Sequence, residues 1–209
     1  MVSADRIYNG AVLVLEDRAL AIFTGGAIRA ALLVITLEIV SGGMHLDGLA
    51  DTADALGAGR DRERALEIMR DSRIGAFGAA AIFAVLALKV IALAGAHGEA
   101  RRAAIYAAPG LARWAMAWIG GRSAYLRAQG AGTALLGGGE RNPRIASIIA
   151  AVGMIPAAGC HALRAIATAA LLAAILRKFY ERWLGGVTGD VIGAAGQIVE
   201  AAVMIAITS

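Results

Sequence analysis

The sequence predicts an all-α, polytopic integral membrane helical bundle of about six transmembrane helices, forming a single membrane-embedded domain over residues 1–209. Three observations carry that expectation. The chain is 59% hydrophobic and 17% charged, where soluble domains lie near roughly 45–50% apolar and about 25% charged. Mean hydropathy is +0.68 with only 5% aromatic residues, so the apolar excess is Ala- and Gly-rich, as in helices that pack closely in lipid. Several long apolar stretches occur in one short chain, whereas soluble helical bundles keep a charged face on most helices. These features exclude a disordered chain and a nucleic-acid-binding tail, and the lipid bilayer is the expected surrounding partner.

A spanning helix needs roughly 20 mostly apolar residues, and the candidate stretches in order are 20–43, 74–96, 103–120, 145–161, 162–177 and 189–208. Residues 1–19 are an atypical N-terminal segment, in which Asp5, Arg6, Glu16, Asp17 and Arg18 break up any signal-peptide core. The first stretch closes on Gly42-Gly43 and leads into a polar segment, 44–73. The second holds only Lys89 and the third only Arg113. The fourth carries no charge and adjoins the fifth at Gly159-Cys160-His161, as a tight hairpin or one broken element. The last contains Asp190 and Glu200. A single cysteine, Cys160, excludes an internal disulfide and a thiolate metal cluster.

The connecting segments differ in charge. Loops 44–73, 121–144 and 178–188 carry Arg60, Arg62, Arg64, Arg70, Arg73, Arg122, Arg127, Arg141, Arg144, Lys178 and Arg182, while the opposite side has little beyond Arg101 and Arg102. The positive-inside bias assigns the basic loops to the cytoplasm, which also accounts for the net charge of +4. The expected location is the cell inner membrane, with the active site facing the cytoplasm. The polar motifs all lie in or beside those loops.

Asp47, Asp51 and Asp54 stand at i, i+4 and i+7, within about a 60° arc of a helix at about 100° per residue. Like charges so spaced repel unless a cation lies among them. A hard divalent ion such as Mg²⁺, held by one or two carboxylates and substrate phosphate oxygens, is the natural partner. A solvated acidic face is the alternative, but Leu46, Leu49 and Ala50 interleave the acids. In the block 64–75, Glu67 and Asp71 are four apart and Arg70 and Arg73 three apart, so acid and base pairs would share adjoining helical faces. Guanidinium groups clamp phosphate bidentately; the alternative is a salt-bridged surface helix.

Arg113 lies inside an apolar stretch. A charge at mid-span costs roughly 2.5–3.5 kcal/mol on insertion scales and usually marks a polar cavity, with snorkelling near Trp114 and Trp118 as the alternative. A phosphate clamp is favoured over a structural pair with Glu200 or Asp190, since a planar fork suits phosphate. The Gly-rich turn Gly185-Gly-Val-Thr188-Gly189-Asp190 would let backbone approach phosphate closely, and Asp190 could complete the cation site. His45 is a candidate acid, base or hydrogen-bond donor; His97 and His161 fall on the other face and are read as structural.

The blocks Gly42-Gly-Met-His-Leu-Asp-Gly-Leu-Ala-Asp-Thr-Ala-Asp54, Leu66-Glu-Ile-Met-Arg-Asp-Ser-Arg-Ile-Gly75 and Leu184-Gly-Gly-Val-Thr-Gly-Asp190 with Gly193-Ala194 resemble the adenosylcobinamide-GDP ribazoletransferase family, also called cobalamin synthase. The resemblance runs from about residue 40 to the C-terminus and is weaker between 98 and 180. It implies a Mg²⁺-dependent membrane enzyme of the last steps of cobalamin nucleotide-loop assembly. Adenosylcobinamide-GDP and α-ribazole, or its 5′-phosphate, would give adenosylcobalamin, or its 5′-phosphate, and GMP. The family's acidic motif falls on Asp47, Asp51 and Asp54, its second block on Arg70, Asp71 and Arg73, and its C-terminal turn on Thr188, Gly189 and Asp190. The chain departs from the family in having Ala55 where Gly is usual and Gln197 where a second carboxylate often stands, leaving Glu200 alone. It also lacks the family's opening apolar segment in 1–19, as expected of a shortened member or of a start placed downstream.

The resulting expectation is Mg²⁺ held by Asp47, Asp51, Asp54 and Asp190, with Asp47, Asp51 or His45 taking the proton. Arg70, Asp71, Arg73, Arg113, Thr188, Gly189 and Glu200 would line the substrates. Two alternatives are a CDP-alcohol phosphotransferase, whose Asp-x-x-Asp-Gly-x-x-Ala-Arg order is absent here, and a transporter, whose charges would be distributed across both faces. A homo-oligomer is compatible with the sequence. The topology predicts that single cysteines at Ala58 and Gly139, in a Cys160→Ser background, are labelled only from the cytoplasm. Labelling of either from outside would separate the motifs.

Overall fold

The structure is a computed structural model that describes residues 26–127, 153 and 157–209. Residues 1–19, most of the 145–161 stretch, and Arg141 and Arg144 therefore lie outside the described residues. Seven α-helices occur within them: α1 Gly26–Val40, α2 Met44–Ala55, α3 Arg62–Ile68, α4 Ala76–Gly95, α5 Gly98–Gly120, α6 Ala162–Leu184 and α7 Gly189–Thr208. Short 3-10 turns at Leu56–Ala58 and Gly159–His161 extend α2 and precede α6. No strand forms among the described residues; one isolated bridge joins Tyr125 and Val187.

Helix α7 is the axis. It packs against α2, α4, α5 and α6, and 67% of its apolar window is buried, against 28% for α4 and 17% for the Gly159–Leu184 helix. Small residues make this possible, because without a side chain the neighbouring backbone can close in. A Cβ on Gly193 would fall 3.3 Å from His45 Cα, and one on Gly48 only 2.7 Å from the Asp190 carbonyl oxygen. The outer faces are apolar: Ile28, Leu32 and Ile39 on α1, Phe77, Phe83 and Ile91 on α4, and Leu163, Leu171 and Ile175 on α6 are exposed. Such faces suit lipid.

Helices α4, α6 with its 3-10 turn, and α7 are each long and apolar enough to cross a membrane. Helices α1 and α2 pass that test only as a pair bent by 92°. The expected six spans thus become three, or four with the bent pair, among the described residues. The 103–120 stretch is helical but belongs to a longer α5 that carries Glu99, Arg101, Arg102 and Arg113 and does not qualify. Arg101 and Arg102 lie in its first turns, where Glu99 favours the helix start.

The bend between α1 and α2 needs glycine. Gly42 and Gly43 have φ of 71° and 69°, the left-handed region that residues with a Cβ avoid. At the other end of the chain, α6 runs on to Leu184, so Lys178 and Arg182 are helical and not in a loop. Its apolar face persists through Tyr180 and Leu184, both buried, and an Arg177–Glu181 pair at 2.9 Å spans one turn. Gly185, at φ 73°, ends it, and Thr188 caps α7 by accepting from Val191 N. Val187 N donates to Ala124 O at 2.8 Å and Leu126 N to Val187 O at 2.9 Å, tying the chain after α5 to this turn.

The α2–α7 contact predicts a contrast between two glycines. Gly48→Ala forces backbone apart and should destabilise by roughly 1–3 kcal/mol, the usual cost of overpacking. Gly57→Ala, with nothing within 4 Å of the added Cβ, should leave the melting temperature in detergent unchanged. Equal melting temperatures for the two variants would mean that α2 and α7 do not meet this closely.

Candidate active site

Helix α2 lies on α7 so that its acidic face meets the start of α7. Asp51 has Asp47, Asp190 and Asp54 about it as like charges and Arg127 as the opposing one. Arg127 is the knot of this end of the bundle. Its guanidinium pairs with Asp190 Oδ2 at 2.7 Å and donates to Met69 O at 3.1 Å. Thr188 Oγ1 donates to the same Asp190 oxygen at 3.1 Å, and Gly189 opens α7. Three segments far apart in sequence, 44–73, 121–127 and 185–190, are thereby gathered at one place.

Asp54 serves differently from its two neighbours. Its carboxylate accepts from Gly75 N at 2.7 Å and Gly78 N at 2.8 Å, satisfying two of the orphan donors at the start of α4 and favouring negative charge against the helix dipole. A Cβ on either glycine would run into that carboxylate. Asp54 thus fastens α2 to α4, while Asp47, Asp51 and Asp190 are left as the carboxylates of the cluster. No three His, Cys, Asp or Glu side chains among the described residues converge closely enough to hold a metal alone. The donor set still suits a hard cation. It is all oxygen and rich in uncompensated negative charge, and Mg²⁺ commonly takes one or two carboxylates and completes its shell with water and phosphate.

The second block departs from the helical arrangement expected of it. Helix α3 ends at Ile68, so Asp71 and Arg73 meet in a turn instead of on a helix face. Asp71 accepts from Arg73 N at 3.1 Å, an Asx turn that competes with continued helix. The Arg73 guanidinium lies on the same carboxylate at 2.6 Å, and these bonds hold the Asp71 carboxyl down at about 2. Glu67 pairs instead with Arg64, at 2.6 Å. Arg70 is exposed and has no hydrogen bond or ion pair among the described residues.

Deeper along α7 lies a buried polar network. Lys89 Nζ donates to Glu38 Oε1 at 2.8 Å, Gln197 Oε1 at 2.6 Å and Glu200 Oε1 at 2.9 Å. Gln197 Nε2 donates to Glu38 Oε2 at 2.9 Å. Arg113 NH1 pairs with Glu200 Oε2 at 2.6 Å; the Arg113 side chain is 43% exposed and that of Glu200 3%. Arg113 is therefore engaged by a structural partner rather than standing beside the carboxylate cluster, although much of its fork is open. Ten residues, about 15 Å of helix rise, separate Asp190 from Glu200. His45 lies between the two groups, against Gly193 and within the field of Arg113, Glu200, Glu38 and Lys89, and its Nδ1 is buried without a hydrogen-bond partner.

Sequence reasoning missed Arg127, Glu38, Lys89 and Gln197 as site-end or network residues. A signal existed for two of them: Lys89 is the lone charge of its apolar stretch, the same pattern that singled out Arg113, and Glu38 shares its stretch only with Arg29. Nothing local distinguished Arg127 from the other loop arginines.

Residues 7–208 match the family described as cobalamin-5-phosphate synthase. The chain is similar to the adenosylcobinamide-GDP ribazoletransferase of Roseiflexus sp. (strain RS-1), 37% identical over 203 residues covering 95% of this chain and 74% of that protein. It is also similar to the protein of the same name from Escherichia coli (strain K12), 35% identical over 205 residues covering 95% of this chain and 82% of the other. No solved structure matches the chain.

The buried network predicts a ranking. Lys89→Met leaves Glu38 in the interior with only the Gln197 amide and removes one of the two cations on Glu200, and should cost roughly 3–5 kcal/mol, as breaking a buried pair does. Arg113→Met, at a half-open site, should cost less, and Glu200→Gln should partly rescue it. Thermal unfolding in detergent reads both; a Lys89→Met protein as stable as the parent contradicts the network.

Proposed function

The chain belongs to the cobalamin-5-phosphate synthase family, and from that premise we propose that it is a transferase that passes the adenosylcobinamide-phosphate group of adenosylcobinamide-GDP to α-ribazole or its 5′-phosphate, releasing GMP. The observation that carries this reading is the gathering of Asp47, Asp51 and Asp190 with Arg127 at one end of the bundle, from three separate segments. Phosphoryl transfer asks a protein chiefly for positioning and charge neutralisation, and this end supplies both signs of charge, the carboxylates on α2 and α7 and Arg127 on the segment that follows α5.

One or two of Asp47, Asp51 and Asp190, together with substrate phosphate, would hold Mg²⁺, which when bound would neutralise the diphosphate and make GMP a better leaving group. Asp54 keeps the acidic face of α2 aimed by anchoring it to α4. Arg127, already paired with Asp190, limits the repulsion among the carboxylates before substrate arrives. Arg70, exposed and without a partner, is placed to take phosphate oxygens of the incoming diphosphate, and Asp71 orients the guanidinium of Arg73 beside it. A ribazole hydroxyl oxygen forms the new bond to the phosphorus that carries cobinamide, and the bond from that phosphorus to the GMP oxygen breaks. Asp47 or Asp51 accepts the hydroxyl proton. His45, with its unpartnered Nδ1, is the neighbouring group able to receive a hydrogen bond. Thr188 and Gly189 hold the α7 start in place at Asp190. The basic segments at this end favour a multi-pass arrangement in the inner membrane with the site facing the cytoplasm.

The test is turnover by purified protein given both substrates and Mg²⁺. Asp47→Asn should lose activity by at least about a thousandfold, on the scale of removing a principal charge-stabilising group, while its melting temperature stays near that of the parent. Chelator should abolish wild-type activity and Mg²⁺ should restore it. Full activity in Asp47→Asn, or in chelator, would sink the assignment.

A further inference from the structure

A cleft of about 520 Å³ opens between the segment that follows α2 and the last turns of α6, lined by Leu56, Gly59, Arg60, Phe179, Arg182 and Trp183. One wall follows Asp54 directly in the chain, and the other is the last turn of α6, which leads through Gly185 to Thr188 and Asp190. The walls are held together by Trp183 Nε1, which donates to Gly59 O at 2.9 Å. The rings of Phe179 and Trp183 lie 5.6 Å apart at 30°, forming an aromatic surface. Arg60 and Arg182 are both exposed and have no hydrogen bond or ion pair among the described residues. Two unpaired guanidinium groups beside an aromatic surface in a cleft of this size suit a ligand with one planar ring and one phosphate.

Building on the transferase reading, we propose that this cleft is the acceptor subsite: Phe179 and Trp183 carry the planar base of α-ribazole 5′-phosphate, and Arg60 and Arg182 hold its phosphate. The acceptor fits better than the donor because the donor's diphosphate would lie at the carboxylates, while the acceptor brings one planar fused-ring base and a single phosphate ester. Both walls run directly in the chain into the carboxylate cluster, one from Leu56 back to Asp54 and the other from Leu184 on to Asp190, and the ribose hydroxyl would extend in that direction. Unphosphorylated α-ribazole would leave both guanidinium groups unused.

The experiment measures KM for α-ribazole 5′-phosphate, for α-ribazole and for the GDP-linked donor, in the parent, in Arg60→Gln/Arg182→Gln and in Phe179→Leu. The arginine pair should raise KM for the phosphorylated acceptor at least tenfold and for α-ribazole less than threefold. Phe179→Leu should raise both acceptor values by a similar factor. A rise confined to the donor, or no change in any KM, overturns the proposal. So does an effect seen in anionic-lipid nanodiscs and absent in phosphatidylcholine nanodiscs, which would mark a lipid headgroup site. Equilibrium dialysis of α-ribazole 5′-phosphate distinguishes failure of the cleft from failure of the transferase reading. If the parent binds it, the arginine variant binds at least tenfold more weakly and the parent shows no turnover, the cleft stands and the transferase reading falls. If turnover is normal and parent and variant bind equally, the transferase reading stands and the cleft falls.

Discussion

Four formal charges inside an apolar bundle, on Glu38, Lys89, Arg113 and Glu200, can be kept only if they meet one another. That requirement constrains α1, α4, α5 and α7 together, because each supplies one of the four. Apolar contacts between Ala-rich helices tolerate sliding and rotation. A lysine that must reach Glu38, Gln197 and Glu200 at once does not. Burying an ion pair adds little net stability but strongly penalises arrangements that separate it, so here the network acts mainly by selecting register.

From that register the arrangement of the carboxylate end follows. Asp190, Gly193, Gln197 and Glu200 recur at three- and four-residue intervals and share one face of α7. The lower half of the stripe joins the network, Gly193 admits α2 at His45, and Asp190 emerges beside the acidic face of α2. The site is then completed by two different uses of carboxylate. Asp54 spends its oxygens on the amides that begin α4. Asp47, Asp51 and Asp190 stay in mutual repulsion relieved by Arg127. The folded chain leaves this cluster short of positive charge, which is the imbalance the proposed divalent cation would relieve.

Much of this was legible in the sequence where a single physical signal dominated. The 74–96 and 189–208 stretches are the observed α4 and α7 to within two residues, since apolarity, length and flanking glycines all agree. The acidic spacing and the Gly-rich turn singled out two segments that the fold does bring together. What could not be read depended on partners distant in the chain. Arg127 is one arginine among many until Asp190 and Met69 are beside it. Lys89 has no visible reason to be buried until three acceptors from α1 and α7 are in place. The Asp71–Arg73 turn was obscured by helical spacing, because a four-residue interval says nothing about whether the helix still exists there. The length of α6 was underestimated because its last turns carry charges that face outward while Tyr180 and Leu184 continue the buried side.

The order of helices has a consequence for how the protein is made. Translation delivers Glu38 first, then Lys89, then Arg113, and Glu200 last, on the final described helix. Until α7 leaves the ribosome, Arg113 has no counter-charge and Lys89 has only Glu38. Charges left alone in the bilayer are costly, so α4 and α5 cannot settle independently into lipid as they emerge. They must be held at the insertion machinery, or remain near water, until the last helix arrives to neutralise them. The helix at the centre of the finished bundle is thus also the one that commits the earlier helices to the membrane.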